Sequence, residues 1–518
     1  MLSVHIIIAL VMACVPLAFV ARRLGLPDPV LLIIGGAALA FIPQLPEIRI
    51  APEIVFTVLL PPILYQAALH LPWTEFRESL RPILILAIGL VLATMAAVGA
   101  IAHWLIPALP WAAAMVLGAI LAATDPTAAI AIMQKLGAPR RVVTVVEGES
   151  IVNDATALVL FTLALHAISA SEFSVSSAVV QFVFVSTGGV LIGLVIAAAF
   201  EFVHSLLKDS ELEAIWGVML PFASYLGADY LHTSGIMAVL AAGMFRGWHS
   251  PEVLSARSRL VGFAIADVVA FGLNSLIFVL IGLQLRTVVM ALSGYGVAQL
   301  ALYSVTISAA LIVLRMAWVL GSASFANLFR PPAERPMTFP MMVIVSWSGM
   351  RGMLSLAAAL AIPRTIADGS EFPARDLIVF LTFAAIVITL LLQSATLRPL
   401  MRAIGLENDE QSLPGETAAR REMAAAALKA LRRSAKAPAL RPAAAAALKG
   451  LTAQYLAEAP ADAEVYDPAA QETRREAQKD IVAAQQQRLI LMKQRGLVSD
   501  QVFLRLQREL DHVELSVE

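Results

Sequence analysis

The chain has 518 residues, 59% of them hydrophobic and only 14% charged, with a mean hydropathy of +0.80. A soluble domain carries about 25% charged residues, so the composition excludes one large soluble core and points to many membrane spans. The net charge of −1 makes no case for a nucleic-acid partner, and a single cysteine, Cys14, excludes an intramolecular disulfide framework.

Apolar runs long enough to span a bilayer recur from the start. They fall near residues 4–20, 30–42, 54–69, 83–106, 111–136, 142–168, 175–207, 212–231, 233–245, 261–285, 295–320, 339–362 and 377–400. That makes about thirteen spans of bilayer length. The second and the ninth are short and read as re-entrant or strongly bent. Cys14 follows Val11-Met12-Ala13, a faint lipobox echo, but no basic residue precedes it, so no signal peptide is expected.

Lys and Arg set the orientation. Alternate connections hold Arg22 and Arg23; Arg77 and Arg81; Lys135, Arg140 and Arg141; Lys208; Arg246, Arg257 and Arg259; Arg330 and Arg335. The intervening ones hold only Arg49, Arg286, Arg364 and Arg375. The first set reads as cytoplasmic, which puts the N-terminus outside and the C-terminal tail inside a bacterial inner membrane.

Close to half of the charged residues lie after Gly405, in under a quarter of the length. Two regions follow: a membrane domain over 1–405 and a cytoplasmic helical tail over 406–518. Within the tail, 418–451 is Ala-rich and reads as helix, 457–470 as a linker with Pro460 and Pro468, and 472–493 as a polar helix. Arg495-Gly496 is a C-cap, and Ser499-Asp500 starts a last helix ending near Leu515. The tail reads as a solvated helical pair that packs on itself or on a second copy.

Polar residues interrupt the fifth and sixth spans. A carboxylate at bilayer depth costs roughly 2.5–3.5 kcal/mol on insertion scales, so several in one hairpin imply a use. In the fifth, Thr124-Asp125-Pro126-Thr127 breaks an apolar helix. Pro126 donates no backbone hydrogen bond, and such breaks are tolerated where they are buried in protein or line a wet cavity. The bland alternative is a proline kink whose Asp caps the second half-helix; the two roles can coexist. In the sixth, Ser150 and Asp154 stand four residues apart on one face, Glu149 and Asn153 on the adjoining one. A carboxylate, a hydroxyl and freed carbonyls make a hard oxygen site for a monovalent or alkaline-earth cation rather than zinc or copper.

Arg351 lies inside the twelfth span, in Ser346-Trp347-Ser348-Gly349-Met350-Arg351-Gly352. A buried guanidinium needs a counter-ion, and Glu149 is the expected partner, with Glu147 the alternative. Ser348, Gly349 and Gly352 weaken the middle of this span as Asp125-Pro126 weakens the fifth. Paired interrupted helices point to an inverted-repeat transporter site. Arg315 is a lone charge in the eleventh span that either snorkels or pairs with a carboxylate elsewhere. Glu213 reads as a solvated helix start or part of an entry funnel, and His70, His166, His204 and His232 as ordinary residues at span ends.

These motifs resemble those of the bacterial NhaP-type monovalent cation/proton antiporters, related to the animal Na+/H+ exchangers. The match rests on Ala123-Thr124-Asp125-Pro126-Thr127, on Glu149-Ser150-Ile151-Val152-Asn153-Asp154, on Phe278-Val279-Leu280-Ile281-Gly282-Leu283-Gln284-Leu285, and on Gly349-Met350-Arg351-Gly352 followed by Ser355-Leu356-Ala357. The resemblance implies an all-α membrane protein with inverted repeats, a homodimer with a dimerisation part and a mobile core, and fifth and twelfth helices unwound where they cross. It makes Asp154 the ion and proton carrier beside Asn153, with Asp125, Ser150 and the Thr124 carbonyl completing a Na+ site. It makes Glu149 with Arg351 the structural ion pair. Asn153-Asp154, in place of two aspartates, implies electroneutral exchange. Gln66, in Leu60-Pro61-Pro62-Ile63-Leu64-Tyr65-Gln66-Ala67, stands where many relatives carry Glu, so it supplies no charge there.

The expected function is antiport of Na+, or also Li+, against H+ for pH and Na+ homeostasis, with membrane lipid and a second copy of the chain as partners, no nucleic acid, and no cofactor beyond the transported ions. A K+/H+ antiporter is the alternative, and a passive cation channel a remote one. An intramembrane aspartyl protease is disfavoured, since no Gly-x-Gly-Asp motif follows.

Overall fold

A computed structural model of the chain describes residues 4–24, 28–41, 54–107, 109–169, 175–207, 210–253, 256–292, 294–328, 337–366, 369–406, 423, 426 and 468–517. Among these residues the regular elements are helical, apart from an isolated antiparallel bridge between Thr365 and Glu371. The membrane region comprises α1 (Val4–Leu24), α2 (Asp28–Leu39), α3 (Val55–Leu69), α4 (Trp73–Glu78), α5 (Leu80–Leu105), α6 (Trp111–Ala122), α7 (Thr127–Lys135) and α8 (Arg140–Ser169). It continues through α9 (Val175–Leu206), α10 (Ser210–Tyr230), α11 (Gly235–Val253), α12 (Ala256–Ala291), α13 (Val297–Leu328), α14 (Phe339–Trp347), α15 (Met353–Leu360) and α16 (Arg375–Ala403). Helix is the form this composition dictates, because apolar surroundings leave each backbone N–H and C=O to be satisfied within its own segment.

Each expected apolar run falls on one helix or one interrupted pair. Seven helical segments among the described residues are long and apolar enough to cross a membrane: α5, α6 with α7, α8, α9, α12, α13 and α16. The second run is the 12-residue α2, short as expected. The ninth is not short: α11 runs for 19 residues without a break. The apolar stretch ends at Arg246 but the helix continues, because the Arg246 side chain is buried and paired with Glu201 and His204. Arg246 is therefore a packed residue rather than a loop charge marking one face of the membrane.

Packing sorts the helices into two groups. In the first, α1, α2, α3, α9, α10, α11 and α12 pack on one another; the Phe278–Leu285 motif lies here, on α12, with Phe278–Leu283 buried where α12 packs on α2. In the second, α5, α6, α7, α8, α13, α14, α15 and α16 do the same. The groups meet chiefly where α12 touches α15 and α16, and where α8 runs past α9, α3 and α11.

Arg49, Lys208, Arg330 and Arg335, the Ala-rich 418–451 apart from Met423 and Ala426, and the linker up to 467 lie outside the described residues. The tail's last two helices are α17 (Pro468–Gln494) and α18 (Asp500–Val517). α17 begins at Pro468, inside the expected linker, because proline is well suited to a first helical turn. Gly496, at φ 68°, closes α17, with Leu497 N–H donating to the Met492 carbonyl at 2.9 Å. The pair packs on itself, the first of the two expected alternatives: Leu489, Met492, Val498, Val502, Phe503, Leu506 and Leu510 form its buried core.

Candidate ion site at the crossing of two broken helices

The fifth span breaks at Thr124-Asp125-Pro126. α6 ends at Ala122 and α7 begins at Thr127. The twelfth span breaks at Ser348–Gly352, between α14 and α15. The two breaks touch: Asp125 N–H donates to the Met350 carbonyl at 2.8 Å. Gly352 faces Asp125 so closely that a Cβ on it would overlap the Asp125 side chain, and a Cβ on Gly349 would overlap the Arg315 side chain. These glycines thus permit close approach as well as weakening the helix.

Asp125 stands one residue before the N-cap position of α7, which Pro126 occupies, and braces the helix start through an Asx-type turn. Its Oδ1 accepts from Thr127 N–H at 3.1 Å and from the Thr127 hydroxyl at 2.7 Å. The carboxylate also sits where the N-terminal helix dipole favours negative charge. Arg351 serves the opposite end of the break. Its guanidinium donates to the Ala122 and Ala123 carbonyls at 2.9 and 3.1 Å, at the C-terminus of α6. The Ser355 hydroxyl also reaches the Ala123 carbonyl, at 3.4 Å.

α8 supplies the facing wall. The Ser150 hydroxyl donates to the Thr124 carbonyl at 2.8 Å, and the Asn153 amide to the Thr124 hydroxyl at 3.1 Å. Asp154 is one position further along. Its Oδ1 is buried without a hydrogen-bond partner, as is the Asn153 Oδ1. A cavity of about 340 Å³ opens here, lined by Thr124, Asp125, Ser150 and Asp154, and also by Glu147, Gln66 and His70. Asn153 lies behind it, buried against Thr124. Oxygen atoms dominate the polar lining, and three carboxylates, those of Asp125, Glu147 and Asp154, line one small volume. Bare carboxylates in such a place are costly, so the geometry calls for a small cation, a proton, or each in turn.

The expected ion pair is corrected. Glu149 pairs with Arg315, not Arg351: Arg315 Nη1 and Nη2 donate to the two Glu149 carboxylate oxygens at 2.5 and 2.7 Å. Both side chains are essentially inaccessible, at 2% and 1% exposure. Arg315 also donates to the Val345 carbonyl at 3.1 Å, tying α13 to α8 and α14. The lone charge of the eleventh span is thus paired and does not snorkel, and the space that admits it is the missing Cβ of Gly349. Glu147, the alternative partner, lines the cavity instead.

Other readings also change. Glu213 is not a solvated helix start; it lies 3.5 Å from His204, and both are largely buried. His204 is therefore a packed residue, in contact with Arg246 at 3.2 Å. His166 and His232 line a separate cavity of about 420 Å³. Gln66 donates from Nε2 to Asp267 Oδ1 at 3.0 Å, so a carboxylate on α12 stands next to the uncharged Gln66. Asp267 was not foreseen, nor was Asn274, which lines the cavity and has its Oδ1 buried without a partner. Both are polar interruptions of the tenth apolar run, and that was the available signal.

Comparison with known proteins now bears on this geometry. Residues 6–403 match the family model described as sodium/hydrogen exchanger, transmembrane. A Mycobacterium tuberculosis protein described as an uncharacterised Na+/H+ exchanger is 34% identical over 434 residues, covering 82% of this chain and 79% of its own. A Bacillus subtilis sodium, potassium, lithium and rubidium/H+ antiporter is 31% identical over 76% of this chain and 61% of its own. A Na+/H+ antiporter of Aphanothece halophytica is 30% identical over 74% of this chain and 71% of its own. In fold, the chain resembles the sodium proton antiporter of Methanocaldococcus jannaschii with a TM-score of 0.64, at 20% identity, over 77% of this chain and 98% of that one.

Proposed function

The chain belongs to the sodium/hydrogen exchanger family, and we propose that it exchanges a monovalent cation for H+ across a bacterial inner membrane, with Asp154 as the shared carrier. The observation that carries this reading is the buried, unpartnered Asp154 Oδ1 beside Asp125 at the crossing of two broken helices. Asp125, the Ser150 hydroxyl and the Thr124 carbonyl are the further oxygen donors, and Asn153 holds Thr124 in place. In the present conformation Ser150 donates to the Thr124 carbonyl; that carbonyl turns to the cation when the hydroxyl does.

One carboxylate serving two ligands couples the flows without a further device. Asp154 takes a proton or a cation, and either neutralises it. The loaded site moves past apolar walls at far lower cost than the bare one. We read the exchange as electroneutral, one cation per proton, and Na+ as the preferred ion. The second helix group then forms the moving core, and the first the dimerisation part of a homodimer.

Direct competition has a kinetic signature. Dye-reported proton flux in everted vesicles is expected to show an apparent KM for Na+ that rises as the pH falls, with an unchanged maximal rate. A KM independent of pH would put the two ligands on separate sites. Running NaCl, LiCl and KCl in turn distinguishes the Na+/H+ from the K+/H+ reading, which the name of the Bacillus subtilis relative keeps open. Flux without proton movement would instead mark a channel.

The N-terminus is read as outside and the tail as inside. A reporter active only in the periplasm, fused after Arg402, is expected to stay silent. A strong signal there reverses the orientation.

A further inference from the structure

We propose that α12 carries the cation between water and Asp154: Asp267 captures it at the mouth of the ion cavity, and Asn274 Oδ1 is its next ligand further in. The inference rests on the exchange reading above and adds a cation path on the wall that faces the carrier.

The two walls of the cavity differ in charge. Asp125, Glu147 and Asp154, with Thr124 and Ser150, line it from the second helix group. The first group contributes Gln66 on α3, His70 at the C-cap of α3, and Asn274 on α12, none of them a carboxylate. Asp267 supplies that charge from just outside the lining. Its Oδ1 accepts from Gln66 Nε2 at 3.0 Å and lies 3.7 Å from His70 Nε2, so it stands beside two residues of the cavity wall.

Burial places the two groups in sequence along the path. Asp267 belongs to Gly262–Gln284, a helical segment apolar and long enough to cross a membrane, yet its side chain is 53% exposed. A carboxylate within a span faces the protein interior or a water-filled cavity, not lipid. The exposed part of Asp267 is therefore wet, and its bond to Gln66 puts that water at the mouth of the ion cavity. Asn274 stands seven residues further along α12, on the same face and about 10 Å away along the helix axis. It lines the cavity, and its Oδ1 is buried without a hydrogen-bond partner.

The chemistry of each group suits its place. A carboxylate at a wet mouth concentrates cations there. Hard cations take oxygen ligands, amide carbonyls among them. A neutral oxygen binds a passing ion without trapping it, as passage requires. A proton needs neither group, because water delivers it to Asp154. The path is also one-sided. α12 belongs to the helix group that does not carry Asp154, so it serves the carrier only while Asp154 opens to this cavity. His70 also lines the pocket beneath the C-terminal hairpin, beside Lys493 and Asp500, so the cavity opens on the face of the membrane that holds the tail.

The test uses the full chain in membrane vesicles of both orientations, sorted by whether added protease reaches the tail, with NaCl added outside. In vesicles that expose the tail, Asn274→Ala is expected to raise the apparent KM for Na+ at least about tenfold, the scale of losing one contact to a charged group. In the opposite orientation the rise is expected to be much smaller. The maximal rate, and its pH dependence at saturating Na+, should stay those of the parent. Asn274→Asp keeps the oxygen and should keep a KM no higher than the parent's. Asp267→Asn can still accept from Gln66 but carries no charge. Its KM should rise about tenfold at low ionic strength, and the difference should close in concentrated choline chloride as the charge is screened. An unchanged KM in Asn274→Ala, equal rises from both faces, or a lost maximal rate overturns its role as a ligand. A KM in Asp267→Asn that stays put, or that rises equally at every ionic strength, overturns capture at the mouth. Exchange by the parent chain, measured first, keeps a failed path distinct from a failed antiporter.

Discussion

Asp154→Asn is expected to abolish cation/proton exchange in everted vesicles while leaving the folded yield near that of the parent. The two side chains have nearly the same shape, so the local packing around α8 is kept. What is lost is the capacity to alternate: an amide neither releases a proton at physiological pH nor offers a full charge to a cation. It also never presents the bare carboxylate whose cost ties movement to loading. The measured rate should therefore fall to background rather than by a modest factor. Exchange that persists in this variant would remove Asp154 as the carrier.

Asp125 separates two roles at the same break. Asn can accept the same i→i+2 bond as Asp, whereas Ala cannot. Asp125→Asn should keep the start of α7, where the side chain receives Thr127 N–H, and impair exchange severely through the missing charge. Asp125→Ala should lose melting temperature as well. Equal melting temperatures for the two would show that the bond from Thr127 contributes little.

Much of this site was readable before any coordinates. A proline next to an aspartate inside an apolar run, and a Gly-x-x-Gly inside another, mark backbone that cannot continue as helix in apolar surroundings. The breaks duly fall at 123–126 and 348–352. Periodicity alone put Ser150 and Asp154 on one face of α8, and both line the cavity. Partnership was harder to read. Arg351 stood within a motif in an interrupted span and Arg315 stood alone, so the motif favoured the wrong guanidinium for Glu149. Which helix crosses which is a three-dimensional fact, and sequence spacing carries none of it. A usable signal did exist: freed carbonyls at the end of α6 offer Arg351 acceptors that need no counter-charge, whereas Arg315 lies within an unbroken helix and a buried guanidinium there calls for a carboxylate.

Loss of Arg315 is expected to be the most damaging change to the fold itself. Arg315→Ala leaves the Glu149 carboxylate sealed at 1% exposure with its bidentate partner gone. Breaking a buried pair from one side costs about 3–5 kcal/mol, against a total stability of about 5–15 kcal/mol for a typical protein. The folded yield after detergent extraction should therefore drop steeply, and the melting temperature of what remains should fall. Arg351→Ala removes hydrogen bonds to two carbonyls but strands no opposite charge, so its loss of yield should be smaller. Replacing both members of the pair, as in Glu149→Leu with Arg315→Met, should recover much of the yield, because an apolar pair of similar volume is often neutral or better. Gly349→Ala should resemble Arg315→Ala, since the added methyl claims the space the guanidinium occupies. If Arg351→Ala proves the more damaging, or if the double replacement rescues nothing, Glu149 and Arg315 are not the pair that holds α8, α13 and α14 together.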